Sequence, residues 1–304
     1  MKNVLLMGTN GRIGGNLYEE LKGDFNLFAF SSPNQINNEM DITFLKKDLF
    51  ILPEVEEALK GIDTVLFFED PIMRLNRQTQ GRFEDFYILI ADNIARAAQL
   101  HEVEQIIFIA DEVSDPYIVE VLAAFGAKVR VTQTPIKRYG KTLSYKTTDY
   151  NSVRSVQRAR LPRGWNIEDV GKYYFDWLDN ILYGLINIRY EKQTINMYLP
   201  KKARPILVIE YDAKSSYNGL EIYRIKGGSL SKKLMNKTPR FEFRALPGGE
   251  DFLMALHDFE PKLSWGIYQI VQAPLYTLIN RIYQVEMIIN NQAPGSHNRP
   301  NLER

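Results

Sequence analysis

The sequence predicts an α/β chain. A doubly wound parallel sheet fills the first half, and a separate α+β unit follows, with an antiparallel sheet and a long C-terminal helix. Three observations carry this. Up to about residue 140, short unbroken apolar runs alternate with helix-spaced stretches, as expected of strands covered on both faces. Beyond it, apolar and polar residues alternate with period two, the mark of strands covered on one face. The last long stretch, 265–289, returns to helical spacing.

Taken in order, residues 4–7, 26–30, 64–68, 106–110 and 128–131 read as buried strands, with a weaker one at 43–45. Between them, 13–22 reads as a helix closed by Gly23. Residues 53–60 carry Pro53 in the first turn and Gly61 after the last. Residues 83–100 place Phe86, Ile90, Ile94, Ala97 and Ala98 on one helical face, and 116–125 ends at Gly126. Near residue 140 the pattern breaks into a polar, basic stretch whose Arg154, Arg158, Arg160 and Arg163 read as a solvated strand or loop face. Asn166 then reads as the N-cap of a helix with Ile167, Val170, Tyr174, Trp177 and Ile181 on its apolar side. Strands follow at 206–211, 220–225, 240–246 and 251–259, with Gly-Gly turns at 227–228 and 248–249. In the final helix, Pro274 marks a kink or restart. The expected domains are 1–150 and 151–290, with a polar tail at 291–304.

Composition narrows the function. Lys and Arg total 38 against 37 Asp and Glu, which speaks against a dedicated nucleic-acid binder. The absence of cysteine excludes disulfides, thiolate zinc sites and a cysteine nucleophile. The three histidines, His101, His257 and His297, have no metal-ligand spacing, so no metal is expected. No apolar run is long enough to span a bilayer, and the first residues lack a signal-peptide pattern. A soluble, cytoplasmic protein is the expectation.

The chemistry is concentrated in "VLLMGTNGRIGGNLYEEL", residues 4–21, where Gly8, Gly11 and Gly14 form G-x-x-G-x-x-G between a strand and a helix. The first glycine permits a tight turn, the second lets backbone amides approach a pyrophosphate, and the third lets helix and strand pack closely. The helix N-terminus adds free N–H groups and a positive dipole end. The residues assigned to this cradle are Gly8, Thr9, Asn10, Gly11, Arg12, Ile13 and Gly14. At the end of the second strand Ser31 stands where an NAD site usually carries a carboxylate for the ribose. With Arg12 in the loop, this favours NADP over NAD.

"GTNGRIG", "KKDLF" and "GIDTVLFFED" resemble the atypical and extended short-chain dehydrogenase/reductases, which include sugar-nucleotide epimerases and NmrA-like proteins. The resemblance covers residues 1–140. It implies a Rossmann domain in which Asp48 and Leu49 border the adenine and Phe68 the nicotinamide. It also implies a Tyr-x-x-x-Lys pair and a serine after the fifth strand, which together exchange a proton with the substrate. That strand instead ends "IIFIADEVSD", with Ser114 displaced from the expected position. Tyr18/Lys22 and Tyr198/Lys202 have the spacing but lie in the wrong places, and Tyr117 has no lysine partner. Tyr139 beside Lys141 and Tyr145 beside Lys146 read as ordinary loop residues. The catalytic residues therefore stay unassigned. Either an oxidoreductase or epimerase-like enzyme works with an atypical acid, or the protein binds the nucleotide without turnover, as a sensor.

"SVRSVQRARLPRGWNIEDVGKYYFDWL", "RIKGGSL", "RFEFRAL" and "LHDFEPKLSWGIYQIVQAPLY" resemble a bacterial domain of unknown function found behind such dehydrogenase domains. The element order is similar to the START-like helix-grip fold, in which a curved sheet wraps a long helix. That resemblance implies a hydrophobic small molecule bound beside Phe241, Phe243, Phe252, Met254, Tyr268, Tyr276 and Tyr283, or a plain core at the same positions. A substrate of the first domain is expected to enter between the two.

Overall fold

A computed structural model describes residues 1–9, 12–31, 40–69, 78–111, 114–133, 152–192, 194–232 and 238–292. The chain divides into two compact units, Met1–Leu75 with Phe83–Thr147, and Asn76–Arg82 with Thr148–Arg304.

The first unit runs β1 (Asn3–Leu6), α1 (Arg12–Leu21), β2 (Asn26–Phe30), β3 (Thr43–Leu45), α2 (Leu52–Ala58) and β4 (Thr64–Phe68). The chain then gives one short strand, β5 (Gln78–Gln80), to the sheet of the second unit. It returns as α3 (Phe83–Leu100), β6 (Gln105–Ala110), α4 (Tyr117–Ala123) and β7 (Val129–Gln133). The six strands of the first unit lie in the order β3-β2-β1-β4-β6-β7, and every neighbouring pair is parallel. This is the doubly wound Rossmann order. The apolar runs explain it: all five residues of β4 are buried, which requires cover on both faces. In α2, Pro53 sits in the first turn, and Leu52, Val55 and Ala58 face inward. Helix α3 is buried almost all round and carries a buried ion pair, Arg96 to Asp92 at 2.8 Å. The guanidinium of Arg96 lies over the Phe125 ring, 4.5 Å from its centre.

The second unit adds β8 (Val153–Arg160), α5 (Ile167–Ile181), β9 (Asn187–Glu191), β10 (Thr194–Tyr198), β11 (Leu207–Tyr211), β12 (Leu220–Gly227), β13 (Arg240–Ala245) and β14 (Asp251–Phe259). It ends in α6 (Trp265–Ile267), a π-helical turn (Tyr268–Gln272) and α7 (Ala273–Gln292). Its eight strands lie in the order β5-β8-β14-β13-β12-β11-β10-β9. All neighbours are antiparallel except β5 and β8. Asn166 caps α5 through a reciprocal box, accepting from the Asp169 amide at 2.8 Å while the Asp169 carboxylate accepts from the Asn166 amide at 2.9 Å. Ile181, expected on the apolar side of this helix, is exposed. The π turn ends at Gln272, two residues before Pro274. Proline has no N–H to give to the carbonyl four residues back, and a wider turn is one way a helix absorbs that loss.

The two faces of this sheet differ. One carries Phe241, Phe243, Phe252 and Met254, packed with Tyr174, Phe175, Tyr283 and Met287 in one core. The register places Arg240, Glu242, Arg244 and His257 on the other, with Arg154 on the same side of β8. Arg154 and Arg244 are fully buried. For Arg154 this overturns the solvated face expected from its basic stretch. It lies mid-sheet, between β5 and β14, while Arg158 and Arg160 near the strand end pair with Asp251 at 2.6 Å and Glu250 at 2.8 Å.

Candidate dinucleotide-binding site

From β1 the chain winds outward to β2 and β3, and then returns on the opposite side of β1 as β4. In a doubly wound sheet, ligands bind beyond the C-terminal ends of the strands where this reversal occurs. Here that place is the end of β1 and β4, and the glycine loop follows β1 directly. Gly8 and Thr9 are buried at the strand end, and α1 starts at Arg12. A Cβ on Gly14 would stand 2.0 Å from the Gly8 carbonyl oxygen and 3.1 Å from Thr9 Cα. No side chain fits there, so the third glycine of the motif is what lets α1 approach the strand end. Gly15 has no such constraint: its Cβ would lie 3.5 Å from the Thr9 oxygen. The first turn of α1 has no acidic residue to oppose an anion at the positive end of the helix. This helix start suits a pyrophosphate. Ile13 is buried beneath it. Asn10 and Gly11 lie outside the described residues, and Arg12 enters only through its backbone.

The other assigned residues sit at the same end of the sheet. Ser31 follows β2, is buried, and donates its backbone N–H to the Leu45 carbonyl at 3.0 Å. Phe68 ends β4 and is buried, with Glu69 buried next to it. Asp48 and Leu49 form the turn into α2. Asp48 Oδ1 accepts the Phe50 N–H at 3.0 Å, and the Asp48 N–H donates to Glu54 Oε2 at 2.6 Å. The buried Asn93 of α3 donates to the Leu49 carbonyl at 2.8 Å. Glu54 and Asn93 were absent from the sequence-based assignment, although each leaves a trace. Glu54 is an acid in a helix first turn, and Asn93 is a polar residue within the buried span of α3.

The expected proton relay is not assembled among the described residues. The Ser114 hydroxyl accepts the Asp111 N–H at 3.0 Å and lies 3.3 Å from Asp111 Oδ1, which closes the turn after β6. The Tyr18 hydroxyl accepts the Asp41 N–H at 2.9 Å, and Lys22 pairs with Glu19. Tyr198 lies under the Arg189 guanidinium, 4.8 Å from its ring centre. Tyr139, Lys141, Tyr145 and Lys146 fall outside the described residues.

In the second unit Phe241, Phe243, Tyr268 and Tyr283, expected to line a cavity, pack against other aromatic rings. Tyr174 stands 4.9 Å from Tyr283 and 5.5 Å from Phe243, and Trp177 stands 4.9 Å from Tyr283. Buried atoms without a hydrogen-bond partner include Oε1 of Gln78, Gln80, Gln157 and Gln272 and both ring nitrogens of His257. Gln78 and Gln80 lie opposite Val153 and Ser155. Buried groups of this kind are normally met by water or a ligand. Among the described residues no cluster suited to a metal ion occurs, and no helix is long and apolar enough to cross a membrane.

No protein-family model matches the sequence. A curated relative, the auxiliary protein GraX of Staphylococcus aureus, is 29% identical over 290 residues, which is 95% of this chain and 94% of that protein. Among solved structures, a nucleoside-diphosphate-sugar epimerase from S. aureus matches over 60% of this chain and 56% of its own, at 18% identity and a TM-score of 0.35. The triphenylmethane reductase of Citrobacter sp., complexed with NADP(H), matches over 42% and 48%, at 15% identity and a TM-score of 0.33. A point mutant of uronate dehydrogenase from Agrobacterium tumefaciens, complexed with NAD, matches over 36% and 41%, at 21% identity and a TM-score of 0.29.

Proposed function

We propose that the first unit binds a nicotinamide dinucleotide as a domain of the short-chain dehydrogenase/reductase type, oxidoreductase- or epimerase-like in its ancestry. The observation that carries this is the strand–glycine-loop–helix at the switch point, with Gly14 pressed against the Gly8 carbonyl. Gly8, Thr9 and the N-terminal amides of α1 hold the pyrophosphate, with Asn10, Gly11, Arg12 and Ile13 completing the loop. Ser31 meets the adenine ribose, Asp48 and Leu49 border the adenine, and Phe68 borders the nicotinamide. A bound nicotinamide supplies a hydride donor or acceptor. Ser31 in place of a carboxylate, together with Arg12, favours NADP over NAD.

A second reading is favoured by a specific observation: Ser114 is tied into a local turn, and no Tyr-Lys-Ser relay is assembled among the described residues. Under it the nucleotide is bound without turnover, and the protein acts as a nucleotide-dependent auxiliary protein. The name of the staphylococcal relative agrees with such a role.

Titrating the chain with NADPH and NADH, followed by cofactor fluorescence, tests the first reading. Saturable binding that is tighter for NADPH and abolished by Gly11→Val is the expected result. No binding of either dinucleotide at ~1 mM, a concentration at which a bound cofactor would be detected, overturns it. Once binding is established, absorbance at the reduced-nicotinamide band over a panel of carbonyl and sugar-nucleotide substrates separates enzyme from sensor: turnover supports the enzyme, and its absence across the panel supports the sensor.

A further inference from the structure

Helix α7 is apolar on two opposite sides. Ala273, Asn280, Tyr283 and Met287 are buried toward its own sheet. Leu275, Leu278, Ile282, Val285 and Ile289 face away and are 38% to 56% exposed. At 100° per residue these five form one stripe on the solvent side. Their spacing is 3, 4, 3 and 4, the repeat of a coiled-coil seam. The stripe runs about 21 Å along the helix, and no charged residue interrupts it.

We propose that this stripe is the seam of a parallel homodimer in which α7 of one copy packs against α7 of a second. In that register Leu275, Ile282 and Ile289 occupy a positions, and Leu278 and Val285 occupy d positions. Two of the three a positions are Ile and Leu278 stands at d, and Ile at a with Leu at d favours two strands. The flanking charges fix the direction. Arg281 falls at g and Glu286 at e, five residues later, which in a parallel pair sets Arg281 of each copy beside the Glu286 carboxylate of the other. An antiparallel pair would bring like charges to the same flank. Arg281 is exposed. Glu286 is half-buried because Tyr173 donates to its Oε1 at 2.7 Å, which leaves Oε2 for the second copy.

Two other occupants fit less well. Arg281 and Glu286 are the only charged residues of α7, whereas a helix lying in a lipid surface is normally rich in Lys and Arg on its polar side. The residues after Gln292, "APGSHNRPNLER", carry one leucine and cannot fill five apolar positions.

The test is the molar mass of the full chain by light scattering over a range of concentrations. Two chain masses are expected, with Ile282→Glu giving a monomer of unchanged circular dichroism, because Ile282 touches solvent in the single copy, and with the thermal midpoint of the unmodified chain diluted to monomer. A dissociation constant at least ~10-fold weaker in Ile282→Glu is the minimum effect. Direction is read from charge reversal: Arg281→Glu and Glu286→Arg each weaken self-association, and mixing the two restores it as a heterodimer. Tyr173→Phe, which removes one of the two internal donors to Glu286 Oε1 and leaves that of Asn290 at 3.4 Å, leaves the dimer intact. A full chain that stays monomeric at ~100 μM, where a dimer held by about 6 kcal/mol or more would form, overturns the proposal. So does an Ile282→Glu variant that remains dimeric, or a mixture that fails to restore pairing. Monomers that bind anionic phospholipid vesicles through Ile282 would identify a membrane face and likewise overturn it.

Discussion

Gly14 and Gly15 are neighbours in one helix with opposite demands. A methyl group on Gly14 meets a backbone carbonyl at 2.0 Å, and one on Gly15 meets only ordinary contact at 3.5 Å. Gly14→Ala should therefore lower the thermal midpoint, at a cost of about 1–3 kcal/mol for overpacking, and should abolish dinucleotide binding. Gly15→Ala should be neutral or stabilising by about 0.5–1 kcal/mol, the helix preference of alanine over glycine. Equal melting curves for the two would show that the close approach is not real. The motif made the Gly14 constraint legible, because the three glycines differ in task but sit within seven residues. The buried charges were not legible. Glu242 accepts from Arg240 at 2.5 Å and from Arg244 at 2.6 Å, and His257 Nε2 lies 3.6 Å from it. In sequence these residues are scattered members of alternating strands. Burial raises the Glu242 carboxyl, but the guanidinium groups of Arg244 and Arg240 override it and hold it well below the usual carboxylate range. Its contribution is present at neutral pH and is lost only in strong acid. Glu242→Gln leaves two buried guanidinium groups short of their anion and should cost about 3 kcal/mol. Lost hydration also pushes the His257 imidazole well below its ordinary 6.5; Glu242 opposes this, while Arg240, Arg154 and Arg244 add to it. An unfolded chain takes up a proton on His257 near pH 6.5 and the folded chain does not. Stability is then full above that pH and falls below it. The thermal midpoint should drop between about pH 7 and about pH 5, and His257→Gln should flatten that slope. An unchanged slope in the variant would remove His257 as its source.

Among elements, the strands β2, β3 and β4 have the same bounds in sequence and structure, because each is a short mainly apolar run opened by one polar residue, with no competing helical period. The strands that escaped are β5, β9 and β10, and β8 was legible only as a strand or a loop. β5 is "QTQ" and β8 is "VRSVQRAR". Their polarity hides a strand whose partners, and not its own composition, decide the burial of its side chains. At α5 the local signal was sufficient, since Asn166 and Asp169 make their box within one turn. Asn166→Ala removes one side of it and should cost about 1 kcal/mol, measured as a lower denaturant midpoint with an unchanged slope. No change in midpoint would mean that packing of Tyr174 and Phe175 alone starts the helix. The candidate site divides in the same way. Its glycine loop is local and readable, while the hold of Asn93 on the Leu49 carbonyl joins residues 44 positions apart.

For the whole molecule, the consequential feature is that the chain enters the second sheet twice. β5 leaves the first unit, pairs along β8 from Gln78 to Gln80, and departs again. β8 begins with the fully buried Val153 and Arg154, preceded by the equally buried Ser152, and β5 is its neighbour on the side away from β14. A boundary drawn at residue 150 separates this strand from the sheet it completes. The bare edge of β8 would then present unpaired backbone groups beside buried side chains, the usual template for edge-to-edge association. Two fragments make the comparison. One begins at Thr148. The other carries Asn76–Arg82 ahead of Thr148 through a Gly/Ser linker of about a dozen residues, the length that a parallel connection requires. The first should melt at a lower temperature and aggregate on concentration, and the second should recover both midpoint and solubility. If both fragments behave alike by light scattering and thermal melting, β5 is an ornament of the sheet. If only the second is well behaved, the autonomous folding unit is discontinuous in sequence, and the first unit must form around a loop that leaves it.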